Sequence, residues 1–199
     1  MEFITPIFKW IHIIAGVLWI GLLYFFNWIN GHVAATMDGD TKKKVVPELM
    51  PRALYFFRWG AAWTWVTGMV LLLLVYWMQM NDSMFRELGI GEEASKFKHV
   101  AYLIPFIMVF VYDAFYKSSL AKNTRVATIT SFMGIAGVLC LLICVSQMTS
   151  YRAYNIHLGT MFGSMMAFNV WYRIWPAQQR IITAIKNGDA PNPADAGMA

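Results

Sequence analysis

Residues 10–33, WIHIIAGVLWIGLLYFFNWINGHV, run without a single charged side chain. At about 1.5 Å per residue a helix of that length covers about 36 Å, enough to cross a bilayer core of roughly 30 Å. Such a run predicts a membrane-spanning helix. Its polar and small residues are not scattered: at about 100° per residue, His12, Gly16, Trp19, Asn27 and Asn30 fall in one narrow sector. A polar group at membrane depth is costly unless it faces protein, a cofactor or a water cavity, so this stripe is expected to point into a helical bundle.

Four further apolar segments are long enough to follow the first across the membrane. The spacing predicts spans at about 7–31, 54–78, 99–116, 127–147 and 156–175. With 58% of the 199 residues hydrophobic and 14% charged, the chain reads as one all-α integral membrane domain over residues 1–176, a bundle of five transmembrane helices. Residues 177–199 follow as a tail, in which AQQRIITAIKNG has the pattern of a short amphipathic helix and DAPNPADAGMA the composition of a disordered end.

The basic residues orient the bundle. Lys42, Lys43, Lys44, Arg52, Arg58, Lys117, Lys122, Arg125, Arg173, Arg180 and Lys186 fall on one side, and Lys9, Arg86, Lys96, Lys98 and Arg152 on the other. The richer side is cytoplasmic by the positive-inside rule, which puts the N-terminus outside and the C-terminus and tail in the cytoplasm. The net charge of +5 is therefore used for topology, and a nucleic-acid partner is not expected. MEFITPIFKW lacks the basic start and small-residue cleavage site of a signal peptide, so the first helix is expected to remain in the mature protein. Between the first two spans, DGDTKKKVVPELMPR reads as a connection punctuated by Pro47 and Pro51. Cys140 and Cys144, four residues apart in the fourth span, read as small core residues rather than a redox or haem-attachment motif.

The histidines carry the chemical signal. In this topology His12, His99 and His157 all sit at the outer ends of spans one, three and five, whereas His32 lies about 30 Å further along the first helix. Imidazoles on facing helices suit a b-type haem, which also needs an apolar slot and polar or basic groups at its rim. Trp19, Phe106 and Phe110 are the candidate walls; Lys96, Lys98 and Arg152 are the candidate rim. Asp113 reads as the partner of Lys117 one turn on, with a proton-relay role as the sharper alternative. Zinc or copper is the other metal reading for three histidines.

WIHIIAGVLWIGLLYFFN near the start and FNVWYRIWPAQQR near the end resemble the membrane, N-terminal domain of the bacterial cytochrome c-linked urate oxidase family. The resemblance implies a haem b bundle in the bacterial inner membrane that passes electrons to a c-type cytochrome, with His12 as a ligand. Full-length members carry more membrane helices and a c-type haem domain with CxxCH; neither is found here, so the chain is expected to be a short form. Its cytochrome would be a separate polypeptide, or it would serve in a larger respiratory membrane complex. Two alternatives stand beside this expectation: a cofactor-free accessory or structural subunit, and a urate oxidase-like membrane enzyme.

Overall fold

A computed structural model describes residues 3–78, 98–145 and 151–198, for 98–101 and 145 the backbone alone. Its described elements are all helical. α1 covers Ile4–Thr36, α2 Gly39–Trp77, α3 Lys98–Lys117 and α4 Thr124–Cys144. α5 runs through Tyr151–Asn169, a π turn at Val170–Ile174 and Trp175–Asn187, and α6 is the short helix Pro193–Met198. α1, α2 and α4 are each long and apolar enough to cross a membrane, which makes this a multi-pass membrane protein.

The chain groups into two compact units, residues 1–67 with 166–199 and residues 68–165. The first unit is built on the antiparallel pairing of α1 with the first part of α2. On α1, Ala15 and Trp19 are buried with His12 and Gly16 half-buried beside them, the inward stripe that a period of 3.6 demands. On α2 the matching stripe is Met50, Leu54, Phe57 and Ala61. Val170 of α5 joins this core, and Leu22, Leu23, Phe26, Trp171, Ile174 and Trp175 close around it. Gly60 lets the two backbones approach: a Cβ there would stand 3.3 Å from the backbone nitrogen and the Cβ of Trp19.

The lower part of the α1 stripe does not continue as the 100° spacing predicts. Phe25–Asn30 is a π turn, whose wider winding shifts the register of the residues within and beyond it. Asn27 consequently turns outward and donates its amide to the Leu23 carbonyl on its own helix, at 2.9 Å. α2 also begins earlier than the apolar pattern indicates. It starts at Gly39, behind an Asp38 cap that accepts from the Thr41 backbone N–H at 2.9 Å, and it runs straight through Pro47 and Pro51. Each proline forfeits a hydrogen bond, but the packed Met50, Leu54 and Phe57 stripe holds the segment helical regardless.

The C-terminal segment is likewise more ordered than its composition suggests. α5 ends at Gly188, whose φ of 84° gives the left-handed cap a side chain would resist. Asn192 then caps α6 through Ala194 N–H, and Arg180 donates to Asp195 from its Nε at 2.9 Å, pinning α6 back onto α5.

In the second unit Leu72, Tyr76, Ile104, Val138, Leu142, Ala153 and Met161 form the core. α4 is capped by Asn123, whose side chain accepts from Arg125 and Val126 N–H. Cys140 and Cys144 are exposed free thiols rather than core residues. An all-round apolar helix offers no periodicity from which to read its inward face, and α4 turns only Ala127, Val138 and Leu142 inward. Asp113 takes the simpler of its two readings: its carboxylate accepts from Lys117 Nζ at 2.6 Å.

Candidate functional site

His12 is the best-defined candidate ligand. Its Nδ1 lies 2.9 Å from the Thr64 carbonyl and 3.1 Å from Thr67 Oγ1, both on α2. A carbonyl only accepts, so Nδ1 carries the proton and donates it. Thr67 Oγ1 donates its own proton to the Trp63 carbonyl at 2.6 Å, which leaves its lone pairs for His12. In the tautomer with the proton on Nδ1 the lone pair is on Nε2, and that atom has no partner among the described residues. A donor tether at one nitrogen with the other free is how proteins orient a metal-ligating imidazole and raise its basicity.

Thr64 and Thr67 escape notice in the sequence because threonine in a membrane helix ordinarily satisfies itself on the preceding turn, as Thr64 does on the Gly60 carbonyl at 2.7 Å. The available signal is their spacing: two hydroxyls at i and i+3 share a helix face. Thr67 is fully buried.

His157 has a different setting, in the second unit. It is fully buried; its Nδ1–H donates to the Ala153 carbonyl at 2.8 Å, and its Nε2 accepts from Trp77 Nε1–H at 3.4 Å. Tyr102 stacks on it with ring centroids 6.0 Å apart, and Tyr76 meets it edge-on at 6.3 Å. Both nitrogens are engaged, so His157 would have to give up the long Trp77 contact before ligating anything.

Of the other candidates, Trp19 is buried against Gly60 in the first unit. Phe106 lies edge-on to Trp77 at 6.4 Å, on the periphery of the His157 cluster, while Phe110 is 70% exposed and Arg152 is exposed. Lys96 and the side chains of Lys98 and His99 lie outside the described residues. Among the described residues no three of His, Cys, Asp or Glu converge as a metal site. A haem iron asks less of the protein, one or two imidazoles and an apolar surround, and His12 fits that requirement.

The sequence as a whole matches the model of the urate oxidase N-terminal family from residue 1 to residue 199. The chain belongs to that family. The match spans the middle helices as well as the two end segments in which the likeness is legible by eye. No curated protein and no solved structure matches the chain.

Proposed function

We propose that this urate oxidase N-terminal family member is a b-type haem protein of the bacterial inner membrane that exchanges electrons with a c-type cytochrome, as a subunit of a larger respiratory or urate-oxidising assembly. It crosses the membrane five times, with its N-terminus outside and its C-terminus in the cytoplasm. The observation that carries the reading is the His12 tether, with Nδ1–H spent on the Thr64 carbonyl and Nε2 without a partner among the described residues, in the uncharged stretch 10–33. A bound haem supplies one-electron redox chemistry. His12 would hold it, with the Thr64 carbonyl and Thr67 hydroxyl keeping the imidazole in the ligating tautomer.

Purification in mild detergent followed by pyridine haemochrome and reduced-minus-oxidised spectra tests this directly. A b-type spectrum that is oxidised on adding a c-type cytochrome is the expected result; protein free of haem overturns the reading. In that event the cofactor-free accessory subunit takes its place, a reading favoured by the ring-to-ring packing around His157, where both nitrogens are already satisfied.

A further inference from the structure

We propose that Arg58 is the recognition residue of a bound anionic phospholipid, its guanidinium receiving the lipid phosphate inside an aromatic cage formed by α2 and α5. The guanidinium carbon lies 4.0 Å from the centroid of the Trp175 ring and 5.7 Å from those of Trp171 and Tyr55. Trp171 also donates its Nε1–H to the Arg58 carbonyl at 3.2 Å, so the cage is fixed to the backbone that carries the charge. Cation–π contacts hold a guanidinium in place but leave its in-plane N–H groups unsatisfied. Here Arg58 Nε is buried without an acceptor, and among the described residues no carboxylate pairs with this arginine. Two acids of the same unit are already taken, Glu48 by Arg52 and Asp195 by Arg180.

A second donor in the same cluster has the same deficit. Trp19 Nε1 is buried and unpartnered, and Trp19 packs in the cluster that Trp171 and Trp175 close. Two buried donors without acceptors in one cluster fit a ligand that accepts from both, which is what an oxyanion does.

The position selects the source of that oxyanion. Arg58 is the last charged residue before the uncharged run of residues 59–81, the place where an apolar span meets phosphate headgroups. Tyr55, Phe56 and Trp59 around it are 49%, 54% and 41% exposed, an aromatic fringe of the kind that lies at the headgroup level with acyl chains beneath.

The full chain in neutral detergent, titrated with phosphatidylglycerol or phosphatidylcholine and read by native mass spectrometry, tests the assignment. One phosphatidylglycerol is expected to stay bound in preference to phosphatidylcholine. Arg58→Gln should weaken that preference roughly tenfold or more, the scale of a charge-assisted hydrogen bond. Arg58→Lys, which keeps the charge and serves as the control for folding, should retain part of it, and Lys43→Gln on the same side all of it. Equal retention of the two lipids by the unaltered protein, or full preference in Arg58→Gln, overturns the proposal. Inorganic phosphate is the second arm: if millimolar phosphate raises the melting temperature through Arg58 while neither lipid is retained, the site takes a free anion and the lipid assignment fails.

Discussion

His12 and Thr64, fifty-two residues apart, are joined across the α1–α2 pair by a 2.9 Å hydrogen bond from the imidazole Nδ1–H to a backbone carbonyl. That carbonyl already serves as the fourth-residue acceptor of its own helix. The pairing sets both the tautomer of the ring and the direction of its free nitrogen. A ligating His12 therefore depends on α1 and α2 keeping their separation.

Gly60 sets that separation. Replacing it with alanine puts a methyl 3.3 Å from the Trp19 backbone nitrogen, an atom that cannot swing away. Gly60→Ala is expected to destabilise the protein by about 1–2 kcal/mol despite the better helix propensity of alanine. Gly134→Ala on α4, where a Cβ meets nothing within 4 Å, should be neutral or slightly stabilising. Thermal unfolding followed by circular dichroism in the same detergent compares the two; a Gly60→Ala protein as stable as Gly134→Ala would refute the close approach.

His157 is expected to matter for stability rather than for ligation. His157→Ala empties a fully buried position and strands the Ala153 and Trp77 partners, a loss of about 2–4 kcal/mol. Trp77→Phe keeps the ring packing and removes only a long hydrogen bond, a loss of about 1 kcal/mol or less. In both variants the haem content of the folded fraction should match that of the unaltered protein. Loss of haem in folded His157→Ala would make this residue a ligand.

The α6 latch should be acid-sensitive. The Arg180 guanidinium bonded to Asp195 holds that carboxyl below the usual carboxylate range. A carboxylate with a lowered folded-state pKa lends its full stabilisation above its unfolded value of about 3.9 and loses it as the pH falls through the lowered value. Amide exchange at residues 194–198 is thus expected to be slow and pH-independent, after correction for intrinsic rates, near neutrality and to accelerate only in strong acid. Asp195→Asn should show the accelerated exchange already at pH 7.

The sequence made some of this legible and concealed the rest for physical reasons. The inward stripe of His12, Gly16 and Trp19 follows from the helical period, and the Asp113 and Lys117 pair from four-residue spacing. The outward position of Asn27 does not follow, because a π turn adds winding that a fixed angle per residue ignores. Pro47 and Pro51 look like a loop until the packed face of α2 is known, since local propensity yields to tertiary burial. Cys140 and Cys144 lie on a helix apolar on every side, so composition carries no information about direction. The Arg58 cage required knowing that Trp171 and Trp175, more than a hundred residues away, return to the same place.

The central claim, that His12 holds a haem through Nε2, is tested most directly by His12→Gly with and without added imidazole, reading the reduced-minus-oxidised spectrum of the purified, folded protein. The expected result is loss of the b-type spectrum in the variant and its recovery when free imidazole occupies the space of the missing side chain. A folded His12→Gly protein with an unaltered b-type spectrum would contradict the assignment.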